Sequence, residues 1–455
     1  MWVVGGAVRD AAAAREVGDV DLAVEPEDVR ELARALAAEP GAACFELSAQ
    51  FRTWRVVSAD RSWHLDLTGL RGATISEDLA LRDFTANALA VPIDDLAAEP
   101  IDLAGGLADA ESKLLRAVSA TTFSDDPLRI MRAARQAAEL GFEVEIGTLE
   151  LARVSSERAG EPAGERQLAE LRLLLAGPDP LRGLRLLDEL GGTAGVMPEL
   201  EALRGVRQNP NHHLDVYGHT IEVLERWLAI EQDLDFYAGE SAARVADLLA
   251  EPLADGWTRR DALRLGAITH DVGKPATRIE TPDWVTFIGH DSEGAKILEG
   301  TLDRLKASRV LSRYVQGLAM HHLRLGFLVP ECPLSRARLY DYLNATQPIA
   351  ADVTLLTIAD RLAARGAGPT ASDEMINGHL ALAKEVLPAA LDWHSSGPPD
   401  VPIRGDELAS ELGIEPGPRL GELIERVRAG VFEGEVQSPG DAVKVARSAL
   451  AELGE

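Results

Sequence analysis

Cysteine is nearly absent from this 455-residue chain: only Cys44 and Cys332 occur. That excludes a disulfide framework and a zinc site built from cysteines. Long apolar runs are missing as well, and no stretch approaches the ~18–20 residues that span a bilayer. Behind Met1 stands Trp2-Val3-Val4-Gly5-Gly6, without a basic n-region or a secretory pattern. These absences predict a cytoplasmic protein, with the native start open to lying upstream of a strand that begins at residue 2. Positive charge is scarce, 46 Lys and Arg against 74 Asp and Glu, a formal net charge of −28. Bulk DNA binding is thereby disfavoured, because neutralising phosphates takes clustered cations. RNA stays open, since the arginines that dominate the basic set can gather on one face. What is present, 46% hydrophobic and 26% charged residues, suits a protein with a large core. The length suits about three domains.

Strand-like and helix-like patterns alternate up to about residue 112. Trp2-Val3-Val4 is a short apolar run that ends in two glycines. Asp19 to Val24 alternates with period two, as a half-buried strand does. Phe51 to Val57 and Trp63 to Leu67 read as further strands, and Asp28 to Ala38 as a helix. Such mixing predicts an α+β head. From about residue 123 strand signals become rare, and Pro127 to Leu140 opens a series of helices. These continue through 165–175, 180–190, 217–236, 241–251, 258–269, 292–306 and 309–321. Gly397-Pro398-Pro399 reads as a linker before a small helical unit, 403–453.

Four groups in the first third carry chemistry. Gly5-Gly6-Ala7-Val8-Arg9-Asp10 follows a strand and opens a helix, where free N–H groups suit a phosphate. Asp19 and Asp21, two apart on one strand, project to the same face. Paired carboxylates repel, and a divalent cation is the natural compensation, although a solvated strand face carries the same pattern. Asp66, on a later strand, is a possible third ligand. Leu81-Arg82-Asp83-Phe84-Thr85-Ala86-Asn87-Ala88 sets Arg82, Asp83 and Asn87 at helical spacing, for phosphate and sugar or simply as a capped helix start. In Asp125-Asp126-Pro127-Leu128-Arg129, Asp126 and Arg129 stand three apart. A carboxylate acceptor beside a guanidinium donor could read a base edge; the alternative is a surface ion pair of small value.

In this order and spacing the groups resemble the class II tRNA nucleotidyltransferase and bacterial poly(A) polymerase superfamily. The resemblance rests on GGAVRD, GDVDLAV, LRDFTANALA, the IDLAGGLAD turn from Ile101 to Asp109, and SDDPLRIMRAARQAAELGF. It covers roughly residues 1–200 and implies a polymerase-beta-like head. By that resemblance Asp19 and Asp21 are the catalytic metal-binding carboxylates. Gly5, Gly6 and Arg9 would contact the triphosphate, and Arg82, Asp83 and Asn87 would hold ribose and phosphates. Asp126 and Arg129 would pair with the incoming base, and Glu165, Arg166 and Glu170 resemble the helical motif that follows. Two positions depart from the family pattern: Leu81 stands where an arginine is usual, and Asp125 where a glutamate is.

The helical half carries most of the ten histidines. His219, His270-Asp271, His290, His321-His322 and Asp360 supply imidazoles and carboxylates, the ligands of a transition metal that activates water. The pattern resembles the HD superfamily of metal-dependent phosphohydrolases. That resemblance implies one metal on His219, His270, Asp271 and Asp360. A second would use His290 and His321 or His322, with Lys274 on a substrate phosphate. A degenerate domain kept for RNA contact is the alternative.

The chain is therefore expected to fold as a head over 1–112, a helical neck with the base-reading motif over 113–204, an HD domain over 205–395, and an RNA-contacting tail over 396–455. It is expected to add CCA to the 3′ end of tRNA from CTP and ATP, with Mg²⁺ in the head and a transition metal such as Ni²⁺, Mn²⁺, Co²⁺ or Zn²⁺ in the HD domain. Neither a membrane nor specific DNA is an expected partner. A poly(A) polymerase, an enzyme adding only C or only A, and an HD phosphohydrolase with an inactive head remain as alternatives.

Overall fold

A computed structural model describes residues 1–18, 20–25, 27–48, 52–282 and 284–452. The chain divides into two compact units, Met1–Pro198 and Glu199–Glu455. Among the described residues no helix is long and apolar enough to cross a membrane.

The first unit is built on a seven-stranded sheet. Its strands are β1 (Trp2–Val4), β2 (Val20–Val24), β3 (Ala43–Ser48), β4 (Thr53–Val57), β5 (His64–Gly69), β6 (Leu89–Pro92) and β7 (Ile101–Asp102). Their order is β3-β4-β5-β2-β1-β6-β7. β2 and β5 run parallel, with Asp21 opposite Asp66, and β1 lies antiparallel to both β2 and β6. Helix α1 (Gly6–Ala12) follows β1 directly. Helix α2 (Val29–Leu36) covers one face, where Leu22, Val24, Val29, Ala33, Val56 and Leu67 form a core. Helix α3 (Ile75–Ala80) covers the other, where Val4, Ala23, Leu70, Ile75, Leu79 and Ala90 form a second. Because both faces are covered, Leu22, Ala23 and Val24 are all buried; the expected half-buried alternation survives only at exposed Asp21. The expected strand from Phe51 begins at Thr53, and Phe51 lies outside the described residues.

The rest of this unit is helical: Arg129–Leu140, Ile146–Val154, Gly164–Ala176 and Pro180–Glu189. One two-residue parallel pairing, Leu114–Leu115 with Glu143–Val144, interrupts it.

In the second unit Ala350–Ala363 is the central helix, buried on nearly every side, as befits a segment apolar all round. Around it pack Val216–Gln232, Arg259–Thr269, Arg309–His321 and Asp373–Ser396. The expected helix over 217–236 is broken at Asp233, whose carboxylate caps the next short helix by accepting from the Phe236 amide at 3.2 Å. Two short hairpins, Pro252–Ala254 with Trp257–Thr258 and Ile279–Glu280 with Val285–Thr286, were not foreseen. After Ser396 come the helices Gly405–Leu412, Pro418–Glu433 and Pro439–Glu452, closing on a core of their own around Leu408, Leu423, Val427 and Ala446. Tyr340, Trp393 and Phe432 stack at ring separations of 5.6 to 5.9 Å and tie this tail to the helices before it.

Candidate active sites

Gly5 sits between β1 and α1 with φ of +79°, a conformation side chains rarely adopt. A Cβ there would stand 3.4 Å from Arg82 Nη1 and 3.8 Å from Asp21 Oδ2. The missing side chain therefore leaves a cradle between a cation and a carboxylate. Asp19 lies outside the described residues. Asp21 is exposed, and Asp66, its neighbour across the parallel pair, is gripped by both Arg55 Nε and Nη2 at 2.7 Å. The guanidinium occupies Asp66 and leaves it poorly suited to the third-ligand role. A carboxylate at the end of a glycine cradle suits a hard divalent cation.

LRDFTANALA does not form the expected helix. Thr85–Asn87 is one 3₁₀ turn, and Leu89–Pro92 is strand β6. The turn is held from below: Thr85 Oγ1 donates to Asp109 at 2.7 Å, and Asp102 accepts from the Gly106 and Leu107 amides. This is the structural use of the IDLAGGLAD segment. The turn folds Asn87 back on Asp83, its Nδ2 donating at 3.2 Å, while Arg9 Nη1 donates to Asn87 Oδ1 at 2.7 Å. Asp83 is buried and takes Arg132 Nη2 at 2.6 Å and Nε at 2.9 Å. Burial raises its pKa, but the Arg132 guanidinium outweighs that and holds the carboxyl well below its ordinary range. Arg132 also reaches Glu170, which Arg135 binds at 2.7 Å, and Asn87 donates to Gln136 at 2.7 Å. Arg132, Arg135 and Gln136 escaped the sequence reading. Their spacing along Arg129–Leu140 carried the signal, since residues three and four apart share a helical face.

Asp126 and Arg129 do not share a helix or an ion pair. Thr122–Asp125 ends as a short helix, Asp126 is extended, and the next helix begins at Arg129. Asp126 pairs with Arg166 at 2.7 Å. Among the described residues Arg129 donates only to carbonyl oxygens, of Leu81, Arg82 and Thr122, and burial lowers its pKa. The break in the helix sets both side chains on one cavity of about 450 Å³, together with Asp21, Asp66, Arg82 and Asp83. Gly5, Gly6, Arg9 and Asn87 line an adjoining cavity of about 220 Å³ that shares Asp21, Arg82 and Asp83. One continuous wall thus carries a carboxylate, several guanidinium groups and an acceptor–donor pair.

The second unit gathers its histidines. His270, Asp271, His290 and His322 are all buried. Three rings are fixed alike: His270, His290 and His322 each set Nδ1 2.6 to 2.9 Å from the carbonyl three residues earlier. A carbonyl can only accept, so Nδ1 holds a proton, and in the neutral ring Nε2 turns its lone pair inward. His290 Nε2 and His322 Nε2 then face each other at 3.2 Å, 3.4 and 3.7 Å from Asp271 Oδ1. His270 Nε2 stands 3.2 Å from Asp271 Oδ2, and His219 Nε2 stands 3.7 Å from the same oxygen and 3.0 Å from Asp360 Oδ1. His270 Nε2 and both Asp271 oxygens are buried without hydrogen-bond geometry.

Inward lone pairs at these separations suit a cation, because ligands on one ion at ~2.1 Å stand roughly 3–3.5 Å apart. His219, His270 and Asp271 form one such group; Asp271, His290 and His322 form another, and Asp271 bridges them. The alternative between His321 and His322 resolves to His322. The ring of His321 takes the Arg324 guanidinium on Nδ1 at 2.8 Å instead. Lys274 is buried, 2.6 Å from Asp271 Oδ2 and bonded to Gln208 at 2.8 Å, so it neutralises the bridging carboxylate. His212, unnoticed in the sequence, sets its ring edge-on to His219 at 4.6 Å.

A glycine-cradled carboxylate in a polymerase-like head, followed by a helical histidine–aspartate centre, defines a nucleotidyltransferase joined to an HD domain. Residues 1–116 match the Poly A polymerase head domain, and 216–365 match the HD domain. The A-adding tRNA nucleotidyltransferase of Deinococcus radiodurans is 34% identical over 97% of this chain and 93% of its own length. The CC-adding tRNA nucleotidyltransferase of Thermus thermophilus is 30% identical over 96% and 91%. A CCA-adding enzyme solved with ATP superposes with a TM-score of 0.62 at 20% identity, over 99% of this chain and 91% of that one. The chain belongs to the tRNA nucleotidyltransferase family. Both of its domain types imply dependence on divalent metal.

Proposed function

We propose that the protein adds C and A to the 3′ end of tRNA from CTP and ATP, with no nucleic-acid template. The supporting observation is the cradle at Gly5, where Asp21 and Arg82 meet on a cavity that also carries Asp126 and Arg129. In this reading Asp19 and Asp21 hold Mg²⁺, the hard ion their oxygens suit. That ion supplies charge neutralisation for the triphosphate and for the leaving pyrophosphate. Gly5, Gly6 and Arg9 take the triphosphate at the start of α1. Arg82, Asp83 and Asn87 orient ribose and phosphates, with Asp83 kept anionic by Arg132. Asp126 accepts from the base and Arg129 donates to it, so the protein edge stands in for a template base.

His219, His270, Asp271 and Asp360, with His290 and His322, hold a transition metal such as Ni²⁺, Mn²⁺, Co²⁺ or Zn²⁺ and serve a phosphohydrolase activity on phosphate ends. Lys274, paired with Asp271, contacts the substrate phosphate. The head spans 1–112, the neck 113–204, the HD domain 205–395 and the tail, in contact with RNA, 396–455. The protein acts in the cytoplasm.

A second reading is favoured by the relatives themselves: the one at 34% identity is an A-adding enzyme, and the one at 30% a CC-adding enzyme. Purified protein given tRNA ending at the discriminator base, or at its first or second added C, with each nucleoside triphosphate singly and then together, separates the two. Addition of C, C and A in sequence supports the full activity. Extension only of the CC-ended tRNA with ATP, or arrest after two C, identifies a partial enzyme. Asp21→Asn is the control and abolishes all addition, because a ligand oxygen is lost while the exposed strand face tolerates the amide; transfer within about tenfold of wild type overturns the assignment.

A further inference from the structure

Asp78 sits in the first turn of α3, 1% exposed, and serves two guanidinium groups at once. Its Oδ1 takes Arg71 Nε at 3.0 Å, and its Oδ2 takes Arg82 Nε at 3.1 Å and Nη2 at 3.0 Å. One arginine would satisfy a buried carboxylate. Two leave the cluster with a net positive charge, and both border the cavity of Asp21. Arg71 is pinned a second time, its Nη1 donating to the Leu81 carbonyl at 3.2 Å, next to the backbone of Arg82 itself. The two forks are thereby fixed relative to each other as well as to α3.

A guanidinium has five N–H groups. Arg82 spends those on Nε and one on Nη2, and its Nη1 lies at the Gly5 cradle. Arg71 spends one on each nitrogen and keeps two more. Three of the acids on the same cavity are engaged by other arginines. Asp66 is consumed by Arg55, Asp83 by Arg132, and Asp126 pairs with Arg166. Two planar forks set side by side on a rigid anion match the oxygens of a polyphosphate, which a guanidinium binds bidentately.

We propose that Arg71 and Arg82 form a two-arginine clamp for the β- and γ-phosphates of the incoming nucleotide, with Asp78 as the positioning residue that holds both forks. The assignment rests on the reading of the head as the nucleotide-binding half, and it adds Arg71 and Asp78 to that site.

The test compares CTP, ATP and CMP binding to the full-length protein by equilibrium dialysis with Mg²⁺, circular dichroism serving as the folding control. Arg71→Ala lowers the preference for CTP over CMP by about tenfold or more, the size of a lost charge-assisted bond, and leaves CMP affinity within about twofold. Arg71→Lys recovers part of the preference, because it restores charge without the fork. Asp78→Asn lowers the preference further, since both forks are released. Pyrophosphate inhibits the Arg71→Ala variant more weakly. A folded Arg71→Ala protein with an unchanged CTP-to-CMP ratio overturns the clamp, whatever becomes of Asp78→Asn. Wild-type protein that binds neither CTP nor ATP overturns the reading of the head itself, and the clamp with it.

Discussion

Arg129 bonds only carbonyl oxygens, and that distinguishes it from the paired arginines around it. Burial costs its charge, and no carboxylate ion pair among the described residues repays the cost. In the proposed function a base edge with acceptors would. Arg129→Ala is therefore expected to erode the preference for CTP over UTP at least tenfold while lowering transfer less. Competition assays with both nucleotides check this, and an unchanged preference removes Arg129 from base reading. His379 illustrates the opposite design. It is buried, its Nε2 stands 3.0 Å from the Thr357 hydroxyl, and burial together with Arg361 lowers its pKa to about 4. A histidine kept neutral in the native state gives stability that is present above its unfolded pKa near 6.5 and lost as pH falls toward 4. At pH 5.5 the loss from this group is on the order of 1 kcal/mol. Denaturant titrations at pH 7.5 and 5.5 should show a smaller drop in His379→Gln than in wild type.

At the scale of elements, the sites depend on how closely backbone can approach backbone. Gly273 follows the His270-Asp271 pair, and a Cβ there would stand 2.1 Å from the His290 carbonyl and 2.5 Å from the Gly294 amide. That contact sets the start of helix His290–Arg304 against the end of Arg259–Thr269, which is how His290 comes within 3.4 Å of Asp271. Gly273→Ala should push the helix outward, cost about 1–3 kcal/mol as overpacking does, and weaken transition-metal binding. Thermal unfolding and elemental analysis after reconstitution check it; full metal content at wild-type Tm contradicts it. The break between Thr122–Asp125 and Arg129–Leu140 does similar work in the first unit. A continuous helix would have paired Asp126 with Arg129, whereas the extended residue hands Asp126 to Arg166.

Across the whole molecule the two centres differ in chemistry. The first unit offers carboxylate oxygens at its cradle, and the second offers imidazoles. The candidate ligands of each centre belong to one unit. His270→Ala with Asp271→Ala should therefore abolish any phosphohydrolase activity and bound transition metal while nucleotide addition stays within about threefold. Both activities and metal content, measured on one preparation, decide it. A folded variant that no longer extends tRNA would show that the centres work as one.

The sequence by itself determined the order of the motifs, the α+β head, the helical remainder and the residue types of both centres. Those follow from local chemistry: a glycine turn after a strand, acids two apart, histidines beside aspartates. It could not show which groups are already engaged. Asp66 looks like a ligand until Arg55 is seen to hold it, and LRDFTANALA looks helical until β1 claims its second half as the neighbouring strand β6. Asp78 carried no signal at all, because its importance lies in burial between two arginines that approach from either side of it in the chain. Likewise only the fold could choose His322 over its neighbour, or bring His219 to Asp360 across 141 residues. The physical reason is common to these cases. Local sequence sets what a side chain can donate or accept, while packing and burial decide which partner is near enough to take it, and which groups are left facing a cavity with bonds still to make.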